Sequence, residues 1–160
     1  MDLKVKRIAW MISIGLSVIS IVFMMTLSSF STDNAFGLHQ FSFIDVVFGS
    51  TKVIISQERH IIGFSFLNFL SLLFVILGLW SAILKLTVKE YQSSKVASYV
   101  TFGLLLAASL LIIFSVFFIV KIAPYDGIAY SLDYGIYLIF FVTLLSSLMF
   151  ILEDVLKNKK

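Results

Sequence analysis

The chain has 160 residues, 60% of them hydrophobic and only 13% charged, with a mean hydropathy of +1.06, far from the soluble balance of roughly 45 to 50% apolar and about 25% charged. This excludes an ordinary soluble domain and reads as one all-α integral membrane domain, a four-transmembrane-helix bundle with one larger extracytoplasmic loop. The formal charge is +3, but the basic residues cluster at the ends of apolar runs, which points to membrane orientation and away from nucleic acid; the absence of Cys excludes disulfides, thiolate metal sites and a cysteine nucleophile.

Lys4, Lys6 and Arg7 precede a charge-free run from Ile8 to Leu27. That run exceeds the roughly 7 to 15 residues of a signal h-region and leaves through Ser28-Ser29-Phe30, so a retained first span over about 8–30 is expected. At helical spacing Ala9, Ser13, Ser17 and Ser20 share one narrow face. Small residues four apart let helix backbones approach closely in lipid, and this face is expected to meet a neighbouring helix.

Residues 31–60 carry Asp33, Asp45, Lys52, Glu58 and Arg59 among apolar residues, too polar to span, and form the larger outer loop. Phe41 to Phe48 and Thr51 to Ile55 are rich in β-branched and aromatic residues and flank Gly49-Ser50, a pair suited to a two-residue turn. The pattern predicts a small β-hairpin; its consecutive apolar residues also fit an interfacial amphipathic segment. Phe41, Phe43 and Phe48 are the candidate partner-facing residues of this loop, with packing on the bundle or in the headgroups as the competing role.

From Ile61 to Leu84 no residue is ionisable, and this second span is long enough to cross a hydrocarbon core of roughly 30 Å. Asn68, Ser71, Val75, Gly78 and Ala82 line one side of its helix, and Leu70, Leu73, Ile76, Leu77, Trp80 and Ile83 the other. The small and polar side is expected to pack, and Asn68 to serve as an interhelical hydrogen bond. A short basic link, 85–95, forces a helical hairpin with a third span over about 96–120, which has one small stripe with Gly103 and Ala107 and another with Ala97, Thr101, Ala108 and Ser115.

An outer turn over 121–131 contains Pro124-Tyr125-Asp126-Gly127, residues that favour chain reversal. The fourth span is expected over about 132–152, with Asp133 as a helix-start residue and Thr143, Ser146, Ser147 and Phe150 on its packing face; 153–160 is a basic tail. The order of parts, a larger outer loop with strands followed by a short inner link and a short outer loop, resembles the claudin-type tetraspan layout. That family's loop signature combines Trp and Gly-Leu-Trp with two cysteines. Here Gly78-Leu79-Trp80 falls within the second span and cysteine is absent, so the resemblance transfers no functional residue.

Chemistry-bearing motifs are missing. His39 and His60 lack metal-ligand spacing, no Ser sits in a GxSxG elbow, and no glycine-rich phosphate loop occurs. No cofactor is expected, and the span interiors hold no Asp, Glu, Lys, Arg or His, which argues against an ion-coupled carrier. The expected role is a small non-enzymatic accessory, interaction or scaffold subunit of the cell membrane, partnered by lipid and by another membrane protein or itself. The alternatives are an oligomeric channel or transporter subunit and then a membrane enzyme acting on lipid.

Nine Lys and Arg fall at the amino end, the 85–95 link and the tail, against Lys52, Arg59 and Lys121 on the other side, which predicts cytoplasmic termini. A Ser50→Cys variant should therefore react with an impermeant thiol reagent added outside cells, and Ser94→Cys should not. The reverse labelling pattern would overturn the orientation.

Overall fold

The computed structural model describes residues 3–34, 37–53, 59–121 and 130–157. In chain order it runs through helix α1 (Leu3–Thr26), strands β1 (Ser28–Asn34) and β2 (Gly37–Ser42), a short helix α2 (Phe43–Phe48), and strands β3 (Ser50–Val53) and β4 (Arg59–Gly63). Helix α3 (Phe66–Thr87), a one-turn helix α4 (Lys89–Ser93) and α5 (Lys95–Ile113) follow. A 3-10 turn (Ser115–Phe118), strands β5 (Val120–Lys121) and β6 (Ser131–Leu132), and helix α6 (Tyr134–Lys157) complete it. Four helices, α1, α3, α5 and α6, are long and apolar enough to cross a membrane.

These four helices pack in the ring order α1, α3, α5, α6, with α6 closing against α1. All the strands gather at one end of the ring, and α4 lies at the other. Two small antiparallel sheets, ordered β2-β1-β6 and β3-β4-β5, make up the sheet-bearing end. In the first, Phe30 sits opposite both Phe41 and Leu132. In the second, Ile62 sits opposite Ser50 and Lys121. Each sheet therefore joins a hairpin from the 28–63 segment to a strand from the α5–α6 connection, tying the start of α6 to the exit of α1 and the exit of α5 to the entry of α3.

The larger core lies beneath these sheets. Phe30, Phe41, Phe43, Val46 and Val47 descend onto Met24, Leu72, Val75, Ala108, Ile112, Ile136 and Ile139, and the Phe30 and Phe43 rings stack at 6.1 Å. A second core of Trp10, Ala82, Leu105 and Phe150 fills the α4 end.

The strand content differs from the expected hairpin in place. Phe43 to Phe48, read as a strand, is helical, and the hairpins are β1-β2 and β3-β4; Ile54 and Ile55 of the expected second strand, like the turn Pro124 to Gly127, lie outside the described residues. The reason is local. Ser42 caps α2: its hydroxyl accepts from the Asp45 backbone N–H at 3.3 Å, and the Asp45 carboxylate accepts from the Ser42 backbone N–H at 2.9 Å. This reciprocal pair satisfies two orphan donors of a helix start and outweighs the β preference of the apolar residues that follow. Gly49 then reverses the chain at φ +86, where a Cβ would sit 2.7 Å from the Ile62 carbonyl oxygen.

Span ends differ for a related reason. Ser28 to Phe30 and Ile61 to Gly63, expected inside the first two helices, are strand residues; an uncharged apolar run is equally suited to a lipid-crossing helix and a buried strand, so hydrophobicity alone does not mark the switch. The third helix stops at Ile113 rather than near 120, in a run of β-branched and aromatic residues that are poor helix formers. The fourth starts at Tyr134, after Ser131 and Leu132 have paired with β1.

Two glycines set the closest approaches. A Cβ on Gly135 would collide with the Ser28 carbonyl oxygen and lie 2.9 Å from Leu27 Cβ, a backbone contact with no room to yield. A Cβ on Gly78 would meet only the movable end of Leu105, at 2.6 Å from Cδ2. Overpacking of this kind costs about 1 to 3 kcal/mol. Gly135→Ala is thus expected to lower the unfolding temperature in detergent clearly more than Gly78→Ala, with Leu77→Phe on the exposed face close to wild type. Equal effects at the two glycines would refute the distinction.

Candidate functional site

Most of the small polar side chains of the four long helices are buried inside the ring, where some bond across to a neighbouring helix and others to a carbonyl of their own helix. Between α1 and α6 they form a ladder. Ser13 Oγ donates to the Ser146 carbonyl at 2.9 Å while Ser146 Oγ donates to the Ser13 carbonyl at 2.9 Å, with the two hydroxyls 2.7 Å apart. Ser17 Oγ lies 2.9 Å from Ser146 Oγ, and one turn further on Ser20 Oγ lies 2.6 Å from Thr143 Oγ1. Thr143 donates to the Ile139 carbonyl at 2.7 Å, so it accepts from Ser20. Ser13, Ser17, Ser20 and Ser146 are wholly buried, and Thr143 nearly so. The small side chains let the two backbones come close enough for hydroxyls of one helix to reach carbonyls of the other.

Helices α3 and α5 are joined by hydroxyls and by one amide side chain. Ser81 Oγ lies 2.6 Å from Thr101 Oγ1, which itself donates to the Ala97 carbonyl. Towards the sheet-bearing end, Ser65 caps α3, accepting from the Asn68 N–H at 3.4 Å, and donates to the Phe118 carbonyl at 2.6 Å. Asn68 Nδ2 donates to the Ser115 carbonyl at 3.3 Å, and Ser71 donates back to the Asn68 carbonyl. Gly78 and Ala82 complete this buried face, with Leu105 filling the space over Gly78.

Lys85, expected at the start of the short basic link 85–95, belongs to α3 instead. It sits in the last turn of α3, 1% exposed, with Nζ 4.8 Å from the centre of the Trp10 ring and donating to Ser98 Oγ. A buried ammonium needs partners to offset its lost hydration, and an aromatic face with a hydroxyl supplies part of this; Trp10 and Ser98 are not its full set. A signal for this burial was present in the sequence: the inward positions Ser71, Val75, Gly78 and Ala82 continue at helical spacing to residue 85.

The stripe assigned to Gly103 and Ala107 is not the main packing face of α5. Gly103 is exposed, and a Cβ added there would meet no atom within 4 Å; Ala107 is half-buried, whereas Ala97, Thr101, Ala108 and Ser115 are buried. Both stripes carry small residues, and nothing in their size says which one meets a neighbour. On α6, Ser147 is buried and donates to the Leu144 carbonyl within its own helix.

Phe41 and Phe43, candidates for either a partner-facing surface or packing on the bundle, are core residues at 1% and 0% exposure; Phe48 alone of the three is exposed, at 56%, its ring 6.1 Å from that of Phe69. The alternation of β2 turns Phe41 inward, and the α2 cap turns Phe43 under it. Asp133 acts at the helix start: Oδ1 accepts from the Tyr134 N–H at 2.7 Å, while Oδ2 accepts from Ser28 Oγ at 2.5 Å and Gln40 Nε2 at 3.2 Å. Nearby, Tyr130 meets Phe41 edge to face, and burial pushes its hydroxyl up to about 12. Among the described residues no group of three His, Cys, Asp or Glu is placed to hold a metal ion.

No family model matches the chain, and no curated protein is significantly similar to it.

The ladder carries a quantitative expectation. Interhelical hydroxyl bonds in lipid are worth about 0.6 kcal/mol on average and up to about 1.7. Ser146→Ala, which removes bonds to both Ser13 and Ser17, should lie at the upper end of that range. In a double-mutant cycle, Ser13→Ala and Ser146→Ala should show a coupling of about 1 kcal/mol by reversible unfolding in detergent. Additive losses would mean that the two hydroxyls act separately.

Proposed function

We propose that this chain is a four-span protein of the cell membrane, with both termini cytoplasmic, that acts without catalysis as an accessory or scaffold subunit bound to another membrane protein or to a second copy of itself. The observation that carries this reading is that buried polar side chains of the four spans are tied to neighbouring spans inside one ring. The α1–α6 ladder, the Ser81–Thr101 pair and the Lys85–Ser98 bond take up the side chains that could otherwise line a conduit. What the helices offer outwards is apolar: Ile12, Val18 and Val22 on α1, Ile76, Leu77 and Trp80 on α3, and Leu138, Phe141 and Leu145 on α6 are exposed. Such a surface suits lipid and the apolar faces of other membrane helices.

The charge distribution supports the orientation, since the α4 link, with exposed Lys89 and Lys95, lies at the same end of the ring as the amino terminus, where Arg7 Nη2 reaches Gln92 Oε1 at 3.5 Å. On the opposite side Phe48 and Phe64 stand exposed around Phe69 and supply the aromatic part of an outer contact surface.

Tagged protein extracted from its native membrane is expected to bring down one membrane partner in fixed ratio, or to run as a discrete oligomer of itself. The yield of that complex should drop several-fold with Phe48→Asp. Ion conductance or solute flux from the purified protein in liposomes would overturn the accessory role in favour of a channel or transporter subunit. Turnover of a lipid substrate that is lost on changing a loop Ser or His would overturn it in favour of an enzyme.

A further inference from the structure

The buried polar groups of the ring are bonded with one local exception. Ser13, Ser17, Ser20, Ser71, Thr101, Ser109, Thr143, Ser146 and Ser147 each have a hydrogen-bond partner. Of the three buried side-chain atoms without a protein partner among the described residues, one is His39 Nε2 in the first sheet. The other two, Asn68 Oδ1 and Ser115 Oγ, belong to residues already joined by the Asn68 Nδ2 bond to the Ser115 carbonyl. Both residues are 0% exposed. The two orphan oxygens belong to neighbours joined by a hydrogen bond, in a core where the comparable hydroxyls are satisfied.

The cause lies in the end of α5. Ser71, Ser109 and Ser147 satisfy their hydroxyls on carbonyls three residues back, and Thr101 and Thr143 on carbonyls four residues back. Ser115 follows Phe114, whose φ of −91 and ψ of 4 end the helix, and opens the 3-10 turn. The turn shifts Ser115 off the helical track that would place its hydroxyl over such a carbonyl. Asn68 in turn spends its amide N–H on the Ser115 carbonyl, leaving its oxygen as an acceptor that no hydroxyl reaches.

We infer that Asn68 Oδ1 and Ser115 Oγ bind one buried water molecule at the break in α5. The chemistry matches. The water donates one proton to the Asn68 oxygen and accepts the Ser115 hydroxyl proton, and its second proton is available to one of the last-turn carbonyls that every helix end leaves without a helical partner. Neither an anion nor a metal ion suits an amide oxygen and a neutral hydroxyl, neither of which brings a charge to the site. The site adds a third tie between the first turn of α3 and the 3-10 turn. The other two are the Ser65 bond to Phe118 and the Asn68 bond to Ser115. Together they hold the chain where it leaves α5 to pair β5 with β4.

The test is an experimental structure of the full chain in lipid at a resolution that shows ordered water. A density peak at about 2.8 Å from both Asn68 Oδ1 and Ser115 Oγ is expected. A Ser115 hydroxyl bonded directly to Asn68 Oδ1, or an interhelical space without a peak, would overturn the inference. In bilayers, water-to-protein magnetisation transfer to the 15N-labelled Asn68 side chain gives an independent readout. It should be strong in the wild type and fall several-fold in Ser115→Val, whose methyl groups occupy the site. Transfer unchanged in a folded Ser115→Val protein would also overturn it, and if that variant fails to fold, the wild-type density decides.

Discussion

Ring closure rests on the hydroxyl ladder between the first and last long helices. Ser146 stands at its centre, within bonding distance of both Ser13 and Ser17 and exchanging carbonyl bonds with Ser13. For a ring that crosses a bilayer, as proposed above, hydrocarbon gives no general drive that pushes apolar helices together, so close backbone approach and reciprocal polar bonds must supply the attraction and its register. A register slip of one residue between α1 and α6 would leave several hydroxyls facing methylene groups. The ladder therefore does more than add energy: it selects one alignment of two helices separated by more than a hundred residues of chain.

The two small sheets solve a second problem, how chain leaves and enters the ring without exposing unpaired backbone. Each long helix at that end passes within a few residues into or out of a strand, and each sheet is completed by two residues from the α5–α6 connection. Asp133 shows the coupling at one point. Its carboxylate accepts the first N–H of α6, a hydroxyl from β1 and an amide from β2. Helix start and sheet edge are thereby satisfied by the same group, and Gly135 permits the backbone of α6 to come against Ser28.

The inward faces were largely legible from residue size and spacing. The serines of α1, Asn68 through Ala82 on α3, and Thr143 with Ser146 on α6 stand at helical intervals, and few other placements bury them together. The strands were not legible at their boundaries because Ile61-Ile62 runs on into an apolar stretch without any change in composition, and Ser28-Ser29-Phe30, though it ends the apolar run of α1, is uncharged and able to continue a helix in lipid. Helix α2 had a readable signal, the Ser42-x-x-Asp45 cap, obscured by the β-prone residues after it. Gly103 could not be placed, since two adjacent small stripes on α5 are equivalent in sequence and only the position of the neighbouring helices separates them.

Lys85 shows why charge is a weaker marker of an interface than its partners are. Taken by itself, a lysine after an uncharged run ends the run, and its stem can reach back along the helix while the ammonium seeks water. Here the inward stripe of α3 carries it towards α1 instead. Trp10, on the same end of the ring and itself wholly buried, presents a ring face to the ammonium, and Ser98 on α5 accepts from it. Three helices thus meet at one cation, where a hydrophobic residue of similar length would fill the same volume without specifying which neighbours it touches. The ladder fixes α1 against α6, and Lys85 fixes α1 against the α3–α5 hairpin, so the amino-terminal helix is held from both sides by polar contacts that depend on its register.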